Sequence, residues 1–297
     1  MIARLNKVMV MLIITACLLV MTSYAEEAKM PIKIAILPCR DVVKTFENFQ
    51  PLANYLKQEI GRGISIVVPK DFVEFERVIN EGKVDFAFQA PHSYVRLSHL
   101  YNGNGLLKAL TPDGEIFHRG VIIARKDSGI SKVEDLKGKV MLFGPKLSTL
   151  RWVAVRLLLE EKGIDIDRDL RRYSHGKCCE SIALNVYLKA ADAGTLCDYS
   201  FKDLVKEKEA EKEGMDPEQL ITIGKTRPIP TWVFAARKDV DIKTVADVNS
   251  ALLKLDKDDP RHKRLLEGPD LGGFIKAKDE DYNVIRNLIK QKGGITQ

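Results

Sequence analysis

Alternating apolar and polar residues predict a strand–helix order at the start of the chain. Residues 31–38 alternate and are rich in β-branched side chains, which is typical of a strand. Residues 49–60 place apolar side chains at helical spacing, and Gly61 ends the helix. The next three segments continue as strand, helix and strand: residues 64–68, 72–80 and 84–88. This β-α-β-α-β order predicts a mostly parallel sheet with helices on its faces.

A second α/β unit begins near residue 120. Residues 120–125 and 139–143 are predicted strands, and residues 148–162 form an amphipathic helix that Gly163 ends. Later segments are predicted as a helix, three strands and three closing helices, in this order: 181–189, 191–197, 221–223, 231–236, 242–256, 260–267 and 279–292. In such sheets a ligand binds beyond the carboxyl ends of the strands, so we expect it between the two units.

Composition excludes several classes of protein. The chain has 297 residues, is 45% apolar and 30% charged, and can therefore build sizeable cores. A disordered chain, a disulfide-dense miniprotein and a polytopic membrane protein are excluded. The net charge of +6 is modest and no basic run occurs, which fits a small anionic ligand better than a nucleic acid.

The first 25 residues are typical of an export signal. Arg4 and Lys7 precede an apolar run from Val8 to Met21, and Ser23-Tyr24-Ala25 has small residues at the positions a signal peptidase recognises. Without this segment the charge is +4, from 45 basic and 41 acidic residues. The sequence thus predicts a periplasmic or otherwise extracytoplasmic protein.

A second cleavage site is present within the same segment. Residues 14–17 resemble a bacterial lipobox, which would leave Cys17 as a lipid-anchored N-terminus. Leu18–Met21 continues the apolar run past this cysteine, where lipoproteins usually become polar. The soluble product is therefore the favoured prediction.

Four cysteines remain after this segment: Cys39, Cys178, Cys179 and Cys197. An exported protein meets oxidising conditions, which favours a disulfide. Adjacent cysteines rarely bond each other, so Cys178 or Cys179 would pair with Cys197 or Cys39, and the sequence leaves the choice open. A soft-metal or thiol-reactive site that includes His175 is the alternative, but no CxxC spacing supports it, and no metal site is predicted.

Several motifs in the order found here resemble the phosphate/phosphite/phosphonate-binding proteins of ABC transporters, a branch of the type II periplasmic binding proteins. The matching segments are Pro51–Leu56, Glu81–Phe88, Pro91–Tyr94, Arg125–Ile130, Glu134–Lys139, Ala191–Gly194, Ile229–Pro230 and Ala236–Asp239. The resemblance implies an α/β fold of two lobes, each a mostly parallel sheet flanked by helices, with a hinge of two crossover strands. Lobe 1 would comprise residues 26–118 and 236–297, and lobe 2 residues 119–235.

The resemblance also implies ligand-binding residues. In the family the tyrosine after a Pro-x-Ser step contacts the ligand, and here it is Tyr94. A Ser-Thr pair after a Phe-Gly strand end holds the oxygens of the anion, and here it is Ser148-Thr149. The positive end of a helix favours an anion at that position. The alternative is that Ser148 or Thr149 only caps its own helix.

Three further positions depart from the family pattern, and a fourth keeps the residue type of the family. Arg151 stands where the family has glycine and adds a forked donor. Cys179 stands at a histidine position, and Glu180 keeps the acidic place after it. Trp232 lies near the place of an acid that serves aminoalkyl ligands in some members, so we expect a different small anion.

The resemblance implies a non-enzymatic solute-binding protein that delivers its anion to an ABC permease in the inner membrane. We expect a monomer without a cofactor. The alternatives are a ligand-binding sensor ectodomain, and a cysteine-dependent enzyme or metal-binding protein that uses Cys179, Glu180 and His175 in the same cleft.

Overall fold

The structure is a computed structural model, and it describes residues 30–38, 41–206 and 214–291. In this part of the chain two sheets, of six and five strands, are flanked by helices and joined by a two-stranded ribbon. The predicted two-lobed α/β fold is thereby confirmed. The predicted signal segment with Cys17, and also Cys39, lie outside the described residues.

The strands are β1 (Ile32–Ile36), β2 (Ile64–Val67), β3 (Phe86–Gln89), β4 (Leu107–Leu110), β5 (Phe117–His118), β6 (Gly120–Arg125), β7 (Val140–Phe143), β8 (Arg172–His175), β9 (Ala193–Cys197), β10 (Leu220–Lys225), β11 (Ile229–Pro230), β12 (Val233–Ala236) and β13 (Gly273–Lys276). The helices are α1 (Val42–Ile60), α2 (Phe72–Asn80), α3 (Pro91–Leu97), α4 (Ala154–Glu161), α5 (Ile166–Asp169), α6 (Cys179–Tyr187), α7 (Asp198–Lys206), α8 (Ile242–Leu253), α9 (Pro260–Glu267) and α10 (Asn283–Gln291). A π-helical turn, Thr149–Val153, leads directly into α4.

Most strands in each sheet run in one direction. The sheet of lobe 1 has the order β13-β4-β12-β3-β1-β2, and β1 pairs in parallel with both β2 and β3. The returning strand β12 enters antiparallel between β3 and β4, and β13 pairs antiparallel with β4. Lobe 2 has the order β10-β6-β9-β7-β8, in which β6 runs against its neighbours. The carboxyl ends of the majority strands therefore form one edge in each lobe.

The lobe boundaries follow from strand pairing. The ribbon of β5 and β11 carries the chain between the lobes, and β6 begins lobe 2 at Gly120, close to the predicted boundary after residue 118. The other predicted boundary, between residues 235 and 236, is wrong because all four residues of β12 pair with β3 of lobe 1. The pattern of residues 231–236 predicts a strand but does not say which sheet it joins.

Each lobe has its own apolar core. One cluster fills lobe 2 around Ile122, Phe143 and Ile182. Two further clusters cover the two faces of the lobe 1 sheet, centred on Phe86 and on Phe75. Among the described residues, no helix is both long enough and apolar enough to cross a membrane. The cleft between two independently packed lobes is the place to look for a site.

Candidate functional site

The two lobes touch at the turn that follows β7. The Oγ1 atom of Thr149 accepts the backbone N–H of His92, the second residue of α3, at 3.0 Å. The ring Nδ1 of His92 lies 3.1 Å from the carbonyl oxygen of Leu147. Burial lowers the pKa of His92, so the neutral ring keeps a proton on Nδ1 to donate to that oxygen. These contacts join lobe 1 to lobe 2, so the structure represents a closed cleft.

The same turn offers two hydroxyl groups. Ser148 and Thr149 are 6% and 1% exposed. The Oγ atom of Ser148 accepts the backbone N–H of Arg151 at 3.3 Å and so caps the π-turn, as the alternative interpretation expected. A hydroxyl also carries a donor proton, and neither hydroxyl donates to an acceptor within the described residues. Both groups can therefore donate to an anion.

A cavity of about 20 Å³ lies between the lobes beside these hydroxyls. Its wall comes from both lobes and the hinge: Phe72, Ala90, Pro91, His118, Ser148, Thr149, Leu150, Cys197, Tyr199, Pro230 and Trp232. A larger cavity of about 90 Å³ extends on the lobe 1 side. Three residues, His118, Tyr199 and Trp232, line both cavities, so the two spaces form one cleft.

Of these three, the sequence predicted Trp232 as a ligand-binding residue, placed Tyr199 among the candidate residues that follow a strand, and gave no sign of His118. The rings of His118 and Tyr199 lie 4.6 Å apart. His118 ends the hinge strand β5, and Tyr199 is the second residue after β9, a position where ligands of such folds are held. The position of each residue at the end of a strand was the available signal.

A contact between His118 and Asp198 fixes this side of the cleft to the hinge. The Nδ1 atom of His118 lies 3.5 Å from Oδ1 of Asp198, and Oδ2 of Asp198 accepts the backbone N–H of Arg119 at 2.9 Å. Burial raises the pKa of Asp198, but the interaction with His118 and the backbone N–H groups of Arg119 and Tyr199 together lower it by more. Asp198 therefore stays a carboxylate and holds the start of α7 against β5.

Arg151 places a positive charge behind the Ser148–Thr149 turn. Its side chain is 1% exposed, and Nη1 donates to the backbone oxygen of Lys177 at 3.3 Å. It lies against Gly144, where a Cβ atom would be 2.5 Å from the Cβ of Arg151. Arg151 does not line either cavity, so its charge, rather than a direct hydrogen bond, is what it offers there.

The described cysteines divide into a helix cap and a buried pair. The Cys178 sulfur accepts the backbone N–H of Ser181 at 3.4 Å at the start of α6. Cys178, Cys179 and Cys197 form no disulfide in the described part of the chain, so the predicted bond is absent among these three. A bond to Cys39 stays a prediction. The Cys197 thiol, helped by the charge of Arg151, lowers the pKa of Cys179 to about 6 despite the opposing effect of burial.

Tyr94 and Glu180 are not brought to the cleft cavities. Tyr94 lies in the lobe 1 core, where its hydroxyl donates to Oδ1 of Asp279 at 2.6 Å and its ring packs 5.0 Å from that of Tyr282. Glu180 lies half-buried in the first turn of α6. In the described part of the chain, no group of three or more His, Cys, Asp or Glu residues is arranged to hold a metal ion.

Known proteins share both the sequence pattern and the fold. Residues 34–282 match the family described as the periplasmic substrate-binding protein of phosphonate ABC transporters. The phosphate-import protein PhnD of Mycolicibacterium smegmatis is 26% identical over 228 residues, which are 71% of this chain and 68% of that protein. The tetrathionate sensor histidine kinase TtrS of Salmonella typhimurium is 26% identical over 238 residues, which are 74% of this chain. These residues are only 38% of TtrS, so the chain spans well under half of that kinase.

A solved structure shows the same architecture. PhnD1 of Prochlorococcus marinus, in complex with methylphosphonate, has a TM-score of 0.78 at 16% identity, over 89% of this chain and 98% of that one. At this identity the likeness supports the fold alone. The family match covers most of the chain, and this protein therefore belongs to the periplasmic substrate-binding proteins of phosphonate ABC transporters.

Proposed function

We propose that this protein captures a small phosphorus oxyanion, a phosphonate with a small apolar substituent, between its lobes and delivers it to an ABC permease. The observation that carries the proposal is the pair of buried hydroxyls, Ser148 and Thr149, which keep donor protons at the wall of the interlobe cavity. The periplasmic location of the family supports export, with residues 1–25 removed as a signal. The protein acts as a soluble monomer and binds its ligand without chemical change.

The oxyanion end of the ligand lies against the Ser148–Thr149 turn. Each hydroxyl donates one hydrogen bond to a charged oxygen, a contact worth on the order of 1.5–3 kcal/mol. The Arg151 guanidinium behind the turn adds a favourable positive charge. This end of the cleft selects for negative charge rather than for one particular anion.

The substituent lies in the larger cavity on the lobe 1 side. Phe49, Phe88, Leu271 and Trp232 contribute apolar walls, and the rings of Phe88 and Trp232 are 5.1 Å apart. One water needs about 10–15 Å³. The 90 Å³ cavity therefore has room for roughly six groups of the size of a water molecule. Methylphosphonate, the ligand of the Prochlorococcus structure, is of this size and kind.

A sulfur oxyanion is the second candidate ligand. Cys197 lines the interlobe cavity, and thiols react with the sulfur–sulfur bonds of polythionates. TtrS, which is named as a tetrathionate sensor, has the same 26% identity to this chain as the phosphate-import protein. The permease-coupled role is unchanged in this alternative, and only the anion differs.

The two tryptophans of the chain provide a direct test. Trp232 lines the cleft, whereas Trp152 is buried in the lobe 2 core. The Trp152→Phe variant leaves Trp232 as the fluorescent reporter, and Trp232→Phe leaves Trp152 as the matched control. Protein freed of bound ligand by unfolding and refolding is titrated with methylphosphonate, phosphate, sulfate and tetrathionate.

We expect methylphosphonate to change the emission of Trp152→Phe and to leave that of Trp232→Phe nearly constant. A thermal-shift measurement on both variants checks that each still binds, since a ligand at 100 times its Kd stabilises by about 2.7 kcal/mol. A response to tetrathionate alone would favour the second candidate. A lack of response to all four anions would refute the proposed function.

A further inference from the structure

A histidine of the hinge lines both parts of the cleft. His118 ends the hinge strand β5 and pairs across the ribbon with Ile229. Its side chain is 14% exposed and lines the interlobe cavity of about 20 Å³ as well as the apolar cavity of about 90 Å³. Among the described residues that line these two cavities, it is the only one whose side chain can carry a positive charge. Of these residues, His118 alone can therefore give an anion a positively charged contact.

The two ring nitrogens of His118 have different surroundings. Nδ1 lies 3.5 Å from Oδ1 of Asp198, a carboxylate that can only accept a hydrogen bond. The proton of a neutral ring therefore stays on Nδ1, which leaves Nε2 as an acceptor that repels an anionic oxygen. Nε2 makes no hydrogen bond within the described part of the chain. A second proton makes the ring a cation and turns Nε2 into a donor.

The groups around the ring favour its charged form. Asp198 faces Nδ1, and the ring of Tyr199 packs 4.6 Å from that of His118. His118 also lines a third cavity, of about 430 Å³, whose charged residues in the described chain are Asp113, Glu115, Arg119, Asp198 and Asp270. Four carboxylates against one guanidinium make this cavity negative, which stabilises an imidazolium and repels an anion. An anion is therefore favoured in the cavity that His118 shares with Ser148 and Thr149.

The interlobe cavity is narrow enough for its donors to reach the same group. One water needs about 10–15 Å³, so about 20 Å³ has room for roughly one or two oxygens of an anion. Ser148 and Thr149 offer neutral hydroxyl donors there, and burial of an anion is costly unless a positive charge accompanies it. A charged donor in the same wall makes the stronger hydrogen bond and offsets this cost.

We propose that His118 is a ligand-binding residue whose protonated ring donates from Nε2 to the oxyanion that Ser148 and Thr149 also hold. This role rests on the proposed function, to which it adds a charged partner. The contribution of His118 to the affinity is present at acidic pH, where the ring is charged, and is lost as the pH rises and the ring becomes neutral. Because His118 belongs to the hinge strand, the anion contacts the hinge as well as lobe 2.

The test titrates methylphosphonate by calorimetry into wild-type protein and His118→Gln, each freed of bound ligand, at about pH 6 and about pH 8.5. Glutamine keeps an N–H donor but never carries the charge. We expect His118→Gln to bind at least tenfold more weakly than the wild type near pH 6 and within about threefold of it near pH 8.5. The ionisation of the ligand itself affects both proteins equally, so the ratio of their Kd values isolates His118.

His99→Gln is the matched control, because it makes the same change at an exposed histidine that lines none of the three cavities. It should bind like the wild type at both pH values. Circular dichroism checks that each variant is folded. A second readout needs no variant: in nuclear magnetic resonance of the wild type, the His118 ring is identified by its contact with the Tyr199 ring. With methylphosphonate bound, this ring should lose its proton at a higher pH.

Three outcomes overturn the role of His118 while saturable binding is intact. They are equal affinity of His118→Gln and wild type near pH 6, a deficit of the same size at both pH values, and a ring titration that the ligand leaves unchanged. A wild type that binds none of methylphosphonate, phosphate, sulfate and tetrathionate refutes the proposed function instead, and this role with it. The two failures are therefore distinguishable.

Discussion

At the scale of single residues, what a side chain already binds determines what it can still bind. Ser148 and Thr149 each accept one backbone N–H, from Arg151 and His92, and each keeps a hydroxyl proton. Tyr94 instead donates its proton to Asp279, and desolvation and this bond raise its pKa. Two of these three residues are thus equipped to donate to an anion, and the third stabilises lobe 1.

We predict that Tyr94→Phe destabilises the protein without weakening ligand binding. Burial raises the pKa of Asp279, but Tyr94 and Arg286 lower it by more. The interaction therefore stabilises the fold above pH 4, near the unfolded pKa of about 3.9, and is lost as the pH falls through the lowered folded value. Chemical denaturation at pH 7 should give Tyr94→Phe a free energy of unfolding about 1 kcal/mol below that of the wild type. At pH 2 the difference should be smaller. A tenfold loss of affinity at unchanged stability would instead place Tyr94 at the ligand.

The contrast between the Ser148-Thr149 pair and Tyr94 shows how much of the site the sequence predicts. The Ser148-Thr149 pair follows a strand end and begins a helix, and these local features are visible in sequence. The partner of Tyr94 lies 185 positions away at Asp279, and no local pattern reveals such a contact. Tyr199 stood out only as a residue that follows a strand, and His118 was missed because its contact with Tyr199 arises where the hinge meets lobe 2.

At the scale of elements, the strands and helices with strong periodicity were predicted and those set by tertiary pairing were not. β8 (Arg172–His175) is polar and half-exposed at a sheet edge, and β13 (Gly273–Lys276) has only four residues. α1 begins at Val42 rather than near 49, because Asp41 caps it with hydrogen bonds from Val43 and Lys44.

The turn after β7 depends on a glycine, which gives a prediction at this scale. In Gly144→Ala the new Cβ would lie 2.5 Å from the Cβ of Arg151 and 3.0 Å from its Nε, so the π-turn must shift. We expect a loss of about 1–3 kcal/mol in the free energy of unfolding and at least a tenfold loss of anion affinity. Gly103→Ala is the matched control, because its Cβ meets nothing within 4 Å. If Gly144→Ala matches Gly103→Ala and the wild type in both stability and anion affinity, the turn does not have this role.

At the scale of the whole molecule, the proposed ligand binding and the closure of the lobes use the same residues. The Thr149 hydroxyl accepts the His92 N–H only when the lobes meet, and the same hydroxyl faces the interlobe cavity. The hinge ribbon of β5 and β11 is short, with two residue pairs, and permits rotation of one packed lobe against the other. The two-lobed arrangement was predictable from the order of elements, whereas the lobe to which β12 belongs required its pairing with β3.

The most direct test of the account is calorimetric titration of methylphosphonate into wild-type protein, Thr149→Ser and Thr149→Val, each freed of bound ligand. Serine keeps the hydroxyl that accepts the His92 N–H and donates to the anion, whereas valine keeps the shape and loses both bonds. We expect saturable binding to the wild type, an affinity within about threefold for Thr149→Ser, and at least a tenfold loss for Thr149→Val, or about 1.4 kcal/mol. Equal affinity of Thr149→Val and wild type, or no binding to the wild type, would contradict the claim that this turn holds a phosphorus oxyanion between the lobes.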